Sequence, residues 1–263
     1  MSFIFDELWK TYVQINPKVA EIKHLLLNEG EEVINDHIAL RTFNDPRVSV
    51  DVLAKTFLSI GYQEKKEYNF SDKKLKAKHY DHPDAKMPKV FISELELEHF
   101  SADLRKTVSS CLDFVTPEMT RETLFVNSGR PWKQILFSTY EALRLESEYA
   151  AWMYAWGYMA NHFTVKINHL KKCSSVLKVN EFLEKNGIVL NHAGGKIKGS
   201  PEVFLEQSST MANKQMIEFK EGKKEIPSCY YEFAFRHKLP TGEEFPDFIA
   251  DNANKIFEST NMH

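Results

Sequence analysis

Cysteine is scarce in this 263-residue sequence: Cys111, Cys173 and Cys229 are far apart and never form a CxxC pair. A disulfide framework or a thiolate zinc site is therefore disfavoured. Glycine and proline number ten each, which excludes collagen-like and low-complexity classes. Neither sign of charge dominates, since 34 Lys+Arg against 37 Asp+Glu leave a formal charge of −3. Such a balance lacks the electrostatic footprint of a protein that grips phosphate backbones, so no nucleic-acid partner is expected. The basic run Lys73, Lys74, Lys76 and Lys78 reads instead as the solvated edge of a hairpin. Long hydrophobic runs are also missing. The longest apolar stretch, Ala150 to Ala160, is too short to cross a bilayer, and no membrane partner is expected. Asp6 and Glu7 interrupt the apolar start before a signal-peptide core forms. A cytoplasmic enzyme or binding protein is the expectation.

What is present is ordinary globular material, 43% hydrophobic and 27% charged, with enough chain to bury roughly three quarters of its unfolded surface. The first residues predict two helices parted at Asn16-Pro17, with Leu8, Val13, Val19, Ile22 and Leu26 at helical spacing. From His37 the period changes to two: Ile38 and Leu40 face one way, His37, Ala39 and Arg41 the other. A helix over 48–60, closed by Gly61, and extended segments at 62–70, 75–80 and 90–97 complete a β-α-β-β-β order. Helices around 100–113 and 131–158 then interrupt. The second carries Trp132, Tyr149, Trp152, Tyr154 and Trp156, read as packed core rather than a platform for bases.

The first pattern returns at His162-Phe163-Thr164-Val165-Lys166-Ile167. A helix capped by Ser174 or Ser175 runs to Lys185 and closes at Gly187, followed by extended pieces at 188–192, 203–207, 215–219 and 229–236. Asp36-His37-Ile38-Ala39-Leu40-Arg41 and Asn161-His162-Phe163-Thr164-Val165-Lys166 share the order short polar, His, apolar, small, apolar, basic. Self-similarity of this kind marks a duplicated module. The expected organisation is one α+β domain over 1–263: N-terminal helices 1–34, a first βαβββ module 35–97, a helical insert 98–160, a second module 161–240 and a C-terminal segment 241–263.

Equivalent histidines in two modules change the meaning of each. If the modules pair about a pseudo-twofold, their first strands lie across a shared cavity and His37 and His162 converge. Glu232, between Tyr231 and Phe233 on a late strand, supplies a carboxylate that is costly to bury unless it is paired or ligates a cation. Two imidazoles and a carboxylate match the facial triad of non-haem ferrous enzymes; catalytic zinc also accepts this donor set. A basic residue stands four positions after each: Arg41, Lys166 and Arg236. That places positive charge on the same face about 13 Å away. A short acid with a chelating head and a distant carboxylate suits such a cavity. Arg41 is the first choice for that carboxylate, because a guanidinium donates two parallel hydrogen bonds. Glu94 reads as an exposed or supporting residue, His79 and His82 as loop polar residues, and Gly194-Gly195 as a hairpin turn.

The stretch from Asp36 to Phe43, the Asn161-His162 pair, and the run Gly199-Ser200-Pro201-Glu202-Val203 leading to Tyr231-Glu232-Phe233 resemble the 2-oxoadipate dioxygenase/decarboxylase family. The likeness extends over about residues 35–240. It implies a vicinal oxygen chelate-like fold, with ferrous iron on His37, His162 and Glu232 and with Arg41 positioning the substrate. It further implies conversion of 2-oxoadipate and dioxygen to 2-hydroxyglutarate and carbon dioxide, a reaction of lysine catabolism. Compared with longer members the chain is compact, and the segment after Arg236 is expected to be too short to complete a pocket. The alternatives are a non-redox lyase, isomerase or hydrolase of the same fold, and a small-molecule binding module whose aromatic insert forms the groove. Oligomeric state is not legible.

Overall fold

A computed structural model describes residues 3–260. The N-terminal stretch forms α1 (Phe3–Ile15) and α2 (Pro17–Asn28). Pro17 opens α2, where its missing N–H costs nothing. The first module comprises β1 (Asn35–Phe43), α3 (Val50–Leu58), β2 (Gln63–Phe70), β3 (Leu75–Asp81) and β4 (Lys89–Leu95). The insert contributes α4 (Ala102–Leu112), α5 (Phe137–Glu146) and α6 (Glu148–Trp156). The long helix expected over 131–158 is two helices, because Ser147 takes an extended conformation and its side chain caps α6.

The second module contains β5 (Ala160–Lys166), α7 (Val176–Lys185), β6 (Lys198–Ser200), β7 (Leu205–Ser209), β8 (Lys214–Phe219), β9 (Gly222–Pro227) and β10 (Tyr230–Arg236), and α8 (Ala250–Phe257) follows. Eight strands form one sheet in the order β2-β3-β4-β1-β5-β10-β7-β6, with β1 parallel to β4, β5 parallel to β10, and β1 antiparallel to β5. The order is a mirror image about the β1/β5 seam, the expected βαβββ duplication.

Two strand expectations are corrected. The piece at 215–219 belongs to a separate β8–β9 hairpin inserted between β7 and β10. Residues 188–192 make only a bridge from Leu190 to Thr210. The lysine run sits as expected, on the turn and outer face of the β2–β3 hairpin at the sheet edge.

Alternation sorts the two sheet faces. Ile38, Leu40, Phe163, Val165, Tyr231 and Phe233 are buried on the convex side, where Trp9 and Tyr12 of α1 pack against the Phe163 and Tyr231 rings. The opposite side chains carry polar groups into the concave side. Their burial is costly unless each is hydrogen-bonded or serves a ligand.

Candidate metal centre and substrate pocket

His37 and His162 converge as expected, but from side-by-side antiparallel strands rather than from strands across a cavity. His37 pairs in register with Thr164, and Ala39 with His162. The imidazole centroids are 5.5 Å apart with the planes at 84°. β10 runs parallel to β5 and brings in Glu232, whose Oε1 lies 3.5 Å from His37 Nε2 and whose Oε2 lies 3.1 Å from His162 Nε2. All three residues are buried, with candidate ligand atoms within 4.8 Å of one another.

The polar residue preceding each histidine determines its tautomer. Asp36 Oδ1 is 2.7 Å from His37 Nδ1, and Asn161 Oδ1 is 3.2 Å from His162 Nδ1. Both oxygens only accept, so each Nδ1 carries the hydrogen and each Nε2 offers a lone pair. Burial, with His37 and Arg41 nearby, pushes the His162 pKa well down and keeps the ring neutral. His37 Nε2 thus accepts from Thr164 Oγ1 at 3.0 Å beside the carboxylate, and the His162 Nε2 lone pair faces the carboxylate, an arrangement that a shared cation resolves. Burial raises the Glu232 pKa, against the opposing effects of His37 and a hydrogen bond from Gln207 Nε2 at 2.6 Å. The donor set fits a first-row divalent metal with open positions for substrate.

The three basic residues fare differently. Arg236 holds Asp36 through Nε at 2.7 Å and Nη2 at 2.9 Å, and donates through Nη1 to the carbonyls of Phe245 and Asp247. Burial works against ionisation of Asp36, yet Arg236 and His37 hold its carboxyl far below the usual range. Lys166 pairs with Glu244 at 2.6 Å. Both cations are taken up by carboxylates, which leaves Arg41 as the one of the three without a carboxylate partner among the described residues. Its Nε and Nη1 are buried without a hydrogen-bond partner among the described residues, and its guanidinium lies 4.9 Å from the Tyr149 ring centroid and 5.0 Å from that of Trp152. Of these two insert aromatics, Tyr149 lines the cleft as well as filling core. A cleft of about 560 Å³ opens to Arg41, bordered also by Lys73, Tyr149, Phe257 and Thr260.

The segment after Arg236 closes the site, contrary to the expectation that it is too short. Phe248 packs edge-on against His37 at 4.8 Å and tilted against Phe91 at 5.0 Å. Phe257 meets Phe70, Lys73 pairs with Glu258, and Asn252 of α8 is buried against Gln207. The other candidates lie elsewhere. Glu94 accepts from the Val50 N–H at 2.8 Å and caps α3. His79 is a buried strand residue bonded to Tyr68 Oη at 2.9 Å, not a loop residue, and burial pulls its pKa down to about 4. His82 stays in its turn, 3.2 Å from the Ile60 carbonyl. Sequence reasoning missed Gln207, Phe248 and Asn252; it quoted Asp36 without its role, although the repeated order of a short polar residue before His was the signal.

The mirrored βαβββ pair is the fold of vicinal oxygen chelate enzymes, and its concave face holds a buried trio of metal-binding type. At 20% identity and a TM-score of 0.74, a structure from Ralstonia eutropha JMP134 provisionally assigned to the glyoxalase superfamily shares that fold over 89% of this chain and 81% of its own. A sequence profile of the 2-oxoadipate dioxygenase/decarboxylase family matches residues 5–130 and 126–245. A rice 2-oxoadipate dioxygenase/decarboxylase, chloroplastic/amyloplastic, is 33% identical over 98% of this chain and 78% of its own length. A crystal structure of hydroxyglutarate synthase from Oryza sativa in complex with 2-oxoadipate superposes with a TM-score of 0.92 at 33% identity, covering 98% of this chain and 90% of that one. A structure from Shewanella frigidimarina NCIMB 400, provisionally named a hydrolase, is 51% identical with a TM-score of 0.89, over 94% of this chain and 96% of that one. The chain belongs to the 2-oxoadipate dioxygenase/decarboxylase family.

Proposed function

We propose that this enzyme converts 2-oxoadipate and dioxygen to 2-hydroxyglutarate and carbon dioxide, with ferrous iron held by His37, His162 and Glu232. The observation that carries the reading is the buried trio together with Arg41, which shares a face of β1 with His37 and has two buried guanidinium nitrogens without a partner among the described residues. When bound, ferrous iron supplies a chelation site for the 2-oxo acid head and redox chemistry toward dioxygen. Arg41 receives the distal carboxylate in two charge-assisted hydrogen bonds, its guanidinium flanked by the Tyr149 and Trp152 rings. Asp36, itself clamped by Arg236, keeps His37 in the Nδ1–H tautomer, and Phe248 excludes water from that ring. The residues thus orient a dicarboxylic 2-oxo acid rather than transfer protons to it.

Reconstitution with ferrous iron under nitrogen, followed by aeration with 2-oxoadipate, tests the reading. One equivalent each of carbon dioxide and 2-hydroxyglutarate per dioxygen consumed is expected; no oxygen uptake would overturn it. The hydrolase name on the Shewanella relative favours a second, non-redox reading. Turnover with zinc under nitrogen would support that one instead.

A further inference from the structure

Helix α8 supplies a side chain to a hydrogen-bonded relay that ends on Glu232. Asn252 Nδ2 donates to Gln207 Oε1 at 3.1 Å, and Gln207 Nε2 donates to Glu232 Oε1 at 2.6 Å. All three residues are buried. A carboxamide has one accepting end and one donating end, so the two contacts select one of its two orientations. Turned over, Gln207 would aim its oxygen at the carboxylate, acceptor against acceptor. In the observed orientation Oε1 of Glu232 accepts from Gln207 and lies 3.5 Å from His37 Nε2, while Oε2 is the nearer to a ligand nitrogen, 3.1 Å from His162 Nε2.

The close approach of α8 depends on Gly199, from the motif that carries the family likeness. With φ at +81°, a Cβ there would stand 2.0 Å from the Leu205 carbonyl oxygen and 2.5 Å from Asn252 Nδ2. Asn191 secures the far end of the helix, donating to the Lys255 carbonyl at 3.0 Å and to Ser259 Oγ at 2.9 Å. Asn252 also donates to the Leu205 carbonyl at 3.3 Å, so part of its contact is ordinary anchoring.

We propose that Asn252 is a positioning residue: docking of α8 orients the Gln207 amide, which holds Glu232 as a single-oxygen ligand, so that metal binding and closure of the C-terminal segment are coupled. This rests on reading His37, His162 and Glu232 as metal ligands. Coupling is reciprocal. Whatever factor docking adds to metal affinity, the metal must add to docking.

The test uses the full chain and Mn(II) alone, with free ion read by electron paramagnetic resonance and α8 docking by amide hydrogen exchange over 250–257. Asn252→Ala and Gln207→Met should each weaken Mn(II) binding about 10- to 100-fold, as loss of groups that orient ligands does. The double variant should fall within about 3-fold of the worse single one, because both interrupt a single relay. Mn(II) should slow α8 exchange in the parent chain and leave it unchanged in both variants. Gln207→Met keeps the α8 contacts to Leu205 and Asn191, so it must erase the metal-dependent protection even if Asn252→Ala frays the helix locally. Unchanged affinity in either single variant, multiplicative losses in the double, or α8 exchange indifferent to Mn(II) in the parent would each overturn the proposal while leaving the metal site standing. A parent chain that binds Mn(II) no better than His37→Ala would overturn the metal-site reading, and the proposal with it.

Discussion

Replacing Arg41 by methionine should make the protein more stable and a worse enzyme. Two of its guanidinium nitrogens are buried without partners, and burial lowers its pKa, a sign that the charge is held at a cost. An unsatisfied buried polar group costs about 1–3 kcal/mol, and the ring contacts of Tyr149 and Trp152 return about 1 kcal/mol of that. Methionine fills similar volume without the charge, so with two such nitrogens relieved the net gain should be about 1–5 kcal/mol, or ~2–20 °C in Tm for a chain of this size. On 2-oxoadipate the variant loses two charge-assisted hydrogen bonds at about 1.5–3 kcal/mol each, which lowers kcat/KM by about 10² to 10⁴. The control is 2-oxohexanoate, which keeps the chelating head but lacks the distal carboxylate. The parent should already handle it poorly, and the variant should handle it within about 10-fold of the parent. Calorimetry and oxygen-uptake kinetics on both acids decide the matter. Equal fractional losses on the two substrates, or a variant no more stable than the parent, would refute the assignment of an anchoring role to Arg41.

Asp36→Asn should cost about 3–5 kcal/mol, because it strands the buried Arg236 guanidinium; chemical denaturation in chelator separates this from any loss of metal. Gly199→Ala should cost at least about 1–3 kcal/mol from backbone strain alone, and its C-terminal segment should become sensitive to limited proteolysis. Glu31 is buried and accepts from the backbone N–H groups of Lys171, Lys172 and Cys173; burial alone would raise its pKa, but these donors lower it below the usual 4.5. A depressed folded-state pKa contributes stability above the unfolded value that is lost as pH falls through the folded one. Denaturant midpoints should therefore drop below about pH 5 in the parent, and Glu31→Gln should be less stable at neutral pH by about 1–3 kcal/mol with a flatter acid limb.

The residues of the site were legible where chemistry alternates along a strand. His37, Arg41, His162 and Glu232 each stand opposite apolar neighbours, and the repeat doubles the signal. What alternation does not encode is which strand lies beside which. The pattern of Gln215 to Phe219 is strand-like in any setting, and only tertiary pairing sends it to the β8–β9 hairpin. For the same reason Arg236 and Lys166 looked equivalent to Arg41: their partners, Asp36 and Glu244, lie far off in sequence. The closing role of Phe248 and Asn252 was hidden because α8 is short and its targets belong to both modules.

The ladder between the two central strands carries an irregularity on either side of the His37–Ala39 stretch, between Asn35 and His37 and between Ala39 and Leu40. A slip of one residue along either strand would turn its imidazole outward, toward the side packed by Trp9 and Tyr12. Such kinks act as stops against sliding. With the proposed metal site, cation capture would double as a proofreading signal: a molecule that has zipped its middle strands one notch out of step would be metal-blind, and a metal-affinity column would separate it from the correctly threaded fraction.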